Sequence, residues 1–173
     1  MVGRRKLLIG IASVCGAGAG VFVGRLLSHG GTAESEALQN LVLPDLDGRP
    51  QNLNQWKDKI LVANFWATWC EPCRKEIPVL VKAQQEYAAK GVQLLGISID
   101  TVANVQKFIP SFNINYPLVM GGLASMDVMR RLGNVSGGLP FTVLVGPGGR
   151  PIQRHLGPLN EAQLADMLKT MLS

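Results

Sequence analysis

Histidine and cysteine are scarce in this chain, two of the first and three of the second in 173 residues. Beyond residue 37 the only soft or imidazole side chains are Cys70, Cys73 and His155, too few for a structural zinc site that takes four ligands. No methionine-rich segment surrounds the cysteines, so a role in handling Cu(I) lacks that support. There is no Gly-rich phosphate loop and no Ser, His and Asp in catalytic order, which excludes a phosphate cradle and a hydrolase triad. A basic stripe interleaved with aromatics is also missing. The formal net charge of +5 comes from the N-terminus, where Arg4, Arg5, Lys6 and Arg25 precede any acid, and nucleic acid is excluded as a partner.

What the chain does have begins with an uncharged run, Leu7 to Gly24, behind three cationic residues. With Arg25 snorkelling it extends to Leu27, within the roughly 17–25 residues that cross a bilayer. The cations ahead of it place the N-terminus in the cytoplasm and the remainder outside. Residues 1–27 are expected to be a signal anchor, with a secretory peptide cut after Ala33 or Ala37 as the other reading. Gly3-Arg4-Arg5-Lys6-Leu7-Leu8 partly resembles a twin-arginine export signal. Gly16, Gly20 and Gly24 suit a close helix pair but also an ordinary signal segment, and Cys15 among them reads as apolar filler. Residues 28–37 are small and polar, a flexible tether. A domain over 38–173 follows, and 47% hydrophobic content is enough for its core.

The stretch that carries chemistry is Trp66-Ala67-Thr68-Trp69-Cys70-Glu71-Pro72-Cys73-Arg74-Lys75-Glu76. Ile60 to Ala67 is a nearly continuous apolar run, as expected of a strand buried on both faces. After Cys70 the apolar residues Ile77, Leu80, Val81, Tyr87 and Ala88 take helical spacing, and Gly91 is a stop. Cys70 is therefore expected at a helix N-terminus, where free N–H groups and the helix dipole favour a thiolate, and it is the nucleophile so placed. Cys73, three residues on, lies on the same face within bonding range. Pro72 suits the first turn, while Pro78 is expected to kink the axis. Glu76, one turn behind Cys73, is a proton donor and acceptor for the thiol or, more plainly, a surface acid. Glu71 and Arg74 read as solvated charges beside the sulfurs, and Trp66 and Trp69 as packing around the active turn.

These residues carry a resemblance. Trp-Cys-x-x-Cys between a strand and a helix, with a proline five residues after the second cysteine, resembles the thioredoxin superfamily, and Asn64-Phe65-Trp66-Ala67-Thr68-Trp69-Cys70-Glu71-Pro72-Cys73-Arg74-Lys75-Glu76 is similar to its TlpA/ResA-like membrane-anchored branch. The likeness covers residues 38–173. It implies a thioredoxin-like α/β fold, a central mixed sheet flanked by helices with an N-terminal hairpin added, and a strand-helix insertion in the middle. It implies a thiol-disulfide oxidoreductase in which Cys70 attacks, Cys73 resolves through a redox disulfide, and Glu76 is the acid near the cysteines. Trp69, Glu71, Pro72, Leu139 and Pro140 are expected to meet the substrate, with Leu139–Pro140 a cis bond. By likeness the protein is a reductant in the inner membrane facing the periplasm. It acts on disulfides of exported proteins such as apocytochrome c, receives electrons from a transmembrane carrier, and needs no cofactor or metal. Asn64 stands where cytosolic thioredoxins carry a buried aspartate, and Phe141 where many relatives have threonine.

The remaining chain is consistent with an α/β sheet. Asp47-Gly48 signals a hairpin within residues 41–50. Val92 to Ile99 reads as a second buried strand, 103–112 as a helix started by Asp100-Thr101, 116–119 as a short strand and 125–131 as a short helix. Strands are expected from Phe141 to Val145 and from Pro151 to His155, then a final helix capped by Asn160. Two other readings of the cysteines stay open, a thiol peroxidase of peroxiredoxin type and a non-catalytic Cu(I)-delivery module.

Overall fold

In the computed structural model residues 38–172 are described. The proposed anchor, the tether and Cys15 lie outside them; among the described residues no helix is long and apolar enough to cross a membrane.

A short antiparallel hairpin comes first, β1 (Val42–Pro44) and β2 (Pro50–Asn52). Asp45 closes its turn, Oδ1 accepting from the backbone N–H groups of Asp47 and Arg49 at 2.9 Å each. A five-stranded sheet follows, in the order β5-β4-β3-β6-β7. Its strands are β3 (Ile60–Trp66), β4 (Val92–Ser98), β5 (Leu118–Met120), β6 (Phe141–Val145) and β7 (Pro151–Leu156). β3, β4 and β5 are mutually parallel; β6 runs antiparallel to β3, and β7 antiparallel to β6, so the sheet is mixed. The helices are α1 (Glu71–Tyr87), α2 (Val102–Phe112), α3 (Ala124–Arg131) and α4 (Glu161–Leu172).

Every residue of β3 is buried, as its unbroken apolar run requires. Its alternation divides the core. Ile60, Val62 and Trp66 join Ile77 and Leu80 of α1, Val105 of α2 and Leu164 and Leu168 of α4. Leu61, Ala63 and Phe65 face Leu43 of the hairpin and Val128, Met129 and Leu132 around α3. The two sides of one strand thus hold two hydrophobic clusters, the arrangement expected when helices cover both faces of a sheet.

Several boundaries move from those read in the sequence. The strand expected at 116–119 runs from Leu118 to Met120, because Tyr116 is packed into the core and Pro117 has no N–H to enter the ladder. α2 begins at Val102, with Thr101 as its cap accepting from the Asn104 N–H at 3.3 Å. β7 continues one residue further, to Leu156. α1 keeps its expected extent, running through Pro78 to Tyr87.

Candidate active site

β3 leads directly into the site. Trp66, its last residue, is buried with its ring 5.4 Å from that of Phe108 on α2. The chain then turns, the Cys70 N–H donating to the Ala67 carbonyl at 3.2 Å. Cys70 is the N-cap of α1, in extended backbone conformation (φ −82°, ψ 102°). A sulfur so placed meets the orphan donors of the first turn, and the Cys73 N–H points at Cys70 Sγ from 3.3 Å. The same donor would favour a thiolate once the cysteines are reduced. A disulfide joins Cys70 to Cys73, with their Cα atoms 5.3 Å apart. Cys70 is 6% exposed and Cys73 0%, so of the two residues only the first has any exposure.

Glu76, one turn behind Cys73, is 1% exposed, so the surface-acid reading does not hold. Asn64 Nδ2 donates to its Oε1 at 2.8 Å, and the Leu159 N–H to its Oε2 at 2.9 Å. Burial penalises the carboxylate and these two donors favour it; burial wins, and the acid is pushed up to about 7. Tyr116 is nearby, its phenol made less acidic by burial and by the charge of Glu76. Asn64 Nδ2 also donates to Thr142 Oγ1 at 2.9 Å, across the β3–β6 pairing in which these residues are opposite. Asn64 Oδ1 is buried with no hydrogen-bond partner among the described residues.

Asn64, Thr142 and the Leu159 amide are the parts of the site that sequence reasoning did not assign. A signal existed for the first two. Asn64 is the one polar residue in β3, and Thr142 the one polar residue in β6, both fully enclosed. Buried polar side chains are kept where a partner exists.

The other expected site residues divide by exposure. Glu71 and Pro72 lie exposed on the first turn, and Lys75 pairs with Glu71 at 2.7 Å, holding that carboxyl below its ordinary range. Trp69 is 67% exposed. The expectation that it packs around the turn is therefore wrong: its backbone follows the end of a buried strand and its ring leaves the core. The Leu139–Pro140 bond is cis, and Leu139 packs partly buried against the cluster that contains both cysteines. Phe141 pairs with Phe65, one residue from the end of β3, so Pro140 is at the same sheet end as the dithiol. His155 is apart, opposite Thr142 on β7.

Comparison with known proteins supports the same chemistry. Residues 35–152 match the model of the AhpC/TSA family. The thiol-disulfide oxidoreductase ResA of Bacillus subtilis (strain 168) is 27% identical over 174 residues, covering 95% of this chain and 93% of ResA. That of Bacillus thuringiensis subsp. konkukian is 30% identical over 165 residues, 90% of this chain and 89% of the relative. Among solved structures, a thiol:disulfide interchange protein of the thioredoxin family from Chlorobium tepidum TLS superposes with a TM-score of 0.67 at 28% identity, covering 77% of this chain and 93% of the other. With a cysteine pair bonded at the mouth of a helix and a thioredoxin-like sheet behind it, the chain belongs to the AhpC/TSA family and is a thiol-disulfide oxidoreductase of the ResA type.

Proposed function

We propose that this protein is an exported reductant, tethered to the membrane by residues 1–27 with its domain outside, which reduces disulfides in other exported proteins, apocytochrome c among them. The observation that carries the exchange chemistry is the asymmetry of the dithiol: Cys70 at the helix N-cap and the less enclosed of the pair, Cys73 fully enclosed behind it, and an acid of raised proton affinity one turn further.

In the reduced protein the Cys70 thiolate attacks one sulfur of a substrate disulfide. A Cys70–substrate disulfide forms and the other substrate sulfur leaves as a thiolate. Glu76 takes the proton from the Cys73 thiol, Cys73 attacks Cys70, and the second substrate sulfur leaves. Two electrons pass to the substrate, and the Cys70–Cys73 disulfide remains. A membrane carrier of reducing equivalents restores the dithiol. Leu139 and the cis Pro140 lie at the same sheet end, where an extended substrate segment fits beside the sulfurs. Trp69, Glu71 and Pro72 form the rest of the contact surface.

Replacing the resolving cysteine isolates the first step. Cys73→Ser is expected to accumulate mixed disulfides through Cys70 on a non-reducing gel, and these disappear in the Cys70→Ser, Cys73→Ser double variant. Absence of Cys70-dependent adducts would overturn the mechanism. Peroxide consumption without protein-disulfide reduction would favour a peroxidase, and stoichiometric Cu(I) binding without either activity a metal-delivery module.

A further inference from the structure

Next to the dithiol lies a shallow groove of about 340 Å³. One wall is the active turn itself, Thr68 and Arg74, two residues before Cys70 and four after it. The other is a single face of α2, where Asn104, Lys107, Phe108, Ser111 and Phe112 follow at the three-and-four spacing that stacks side chains on one side of a helix. The apolar part is a pair of rings, Phe108 stacked on Phe112 at 4.3 Å, with the enclosed Trp66 behind Phe108 at 5.4 Å.

Charge in the groove has one sign. The Arg74 guanidinium sits over the Phe108 ring, 5.9 Å from its centroid, and makes no ion pair with a carboxylate among the described residues. Lys107 is exposed and has neither a hydrogen bond nor an ion pair among the described residues. By contrast Lys75, Lys82 and Arg130 on other helix faces each hold a carboxylate. No acid lines the groove. Two acids border it: Glu71, which feels the Arg74 charge and is paired with Lys75, and Asp100, whose Oδ2 accepts from the N–H and hydroxyl of Thr68 and Oδ1 from the Thr101 N–H and Asn104 Nδ2, bonds that hold it ionised beneath the groove wall.

Because Cys70 is 6% exposed, a disulfide can reach its sulfur only if the polypeptide around that disulfide lies on the neighbouring surface. We propose that the groove receives the segment of the substrate polypeptide that flanks its disulfide. The segment places an acidic side chain between Arg74 and Lys107 and an apolar neighbour on the Phe108–Phe112 rings. The inference rests on the exchange reading above and adds to it a class of substrate: disulfides with a carboxylate a few residues away. Exposed charge pairs are individually weak but steer encounter and orientation, so the selectivity appears in the rate of the first step.

The test uses three short peptides, each a disulfide-linked homodimer through one cysteine, identical except for Glu, Ala or Lys at the two positions three and four residues from that cysteine. Pre-reduced protein is mixed with each, and release of peptide thiol is followed in a single turnover. At low ionic strength the wild type is expected to reduce the Glu peptide about five- to tenfold faster than the Lys peptide, with Ala between, and about 0.5 M sodium chloride should compress that ratio. Lys107→Glu, which sets one acid against Arg74, is expected to abolish the order, and Arg74→Glu combined with Lys107→Glu to reverse it, a gain on the Lys peptide that a damaged fold would not produce. Equal wild-type rates within about twofold, a ratio indifferent to salt, or an order retained in Lys107→Glu would each overturn the proposal. If the wild type reduces none of the three, the Ala peptide included, the exchange reading fails and this one with it.

Discussion

Glu76 shows what a single enclosed side chain imposes. Its proton affinity is raised from 4.5 to about 7 mainly by burial. Between those values the folded protein holds a proton that the unfolded chain has released, so stability is complete below about pH 4.5 and is lost as pH rises through 7. The shift corresponds to about 3 kcal/mol. The Tm of the oxidised protein is expected to fall from about pH 5 to about pH 8, and that slope should vanish in Glu76→Gln; a slope unchanged in the variant would contradict the assignment. Asn64→Ala removes a donor to the carboxylate and leaves burial in place. The midpoint of Glu76, read from its carboxyl carbon shift, should rise by about one unit. A midpoint that stays in place would make Asn64 a packing residue only. At this scale the cysteines were legible, because a dithiol and its helix entry are adjacent in the chain. The network around Glu76 was not: the Leu159 amide that donates to it is 83 residues away, and Thr142, which shares its donor Asn64, is 78 residues from Asn64, contacts that only the folded sheet creates.

Elements were readable wherever local chemistry decides them. α4 starts where Asn160 Oδ1 accepts from the Gln163 N–H at 2.9 Å and Gln163 Oε1 accepts from the Asn160 N–H at 3.0 Å, a reciprocal box visible in four consecutive residues. Asn160→Ala is expected to lower stability by about 1 kcal/mol in urea unfolding. β3 and β4 were equally plain as apolar runs. Less plain was why Gly96 belongs in β4. It pairs with Asn64, and a Cβ there would run into the Leu118 side chain and meet Trp66 Nε1 at 3.0 Å and the Tyr116 ring at 3.3 Å. Gly96→Ala should cost about 1–3 kcal/mol through overpacking, measured by the same unfolding experiment. A neutral result would mean that the Leu118 side chain and the two rings can give way. The N-terminal edge of β5 was misread because the run 116–119 contains the apolar residues of a strand and also a proline that cannot enter its ladder.

Over the whole molecule, redox state and folding are linked. A protein that works as a reductant closes its disulfide more readily than an unstructured Cys-x-x-Cys peptide does, so the oxidised form must be the more stable one. Each 30 mV below the peptide's potential adds about 1.4 kcal/mol. Urea unfolding of the oxidised and reduced forms should differ with that sign, and a reduced form more stable than the oxidised would make the protein an oxidant. The division of the core has a further effect on turnover. With Cys73 sealed behind Cys70 and the first turn of α1, no passing small thiol or alkylating agent can touch it. In the exchange proposed above, the thiol that releases a half-finished conjugate is thus one that reagents in the medium leave intact until it is used.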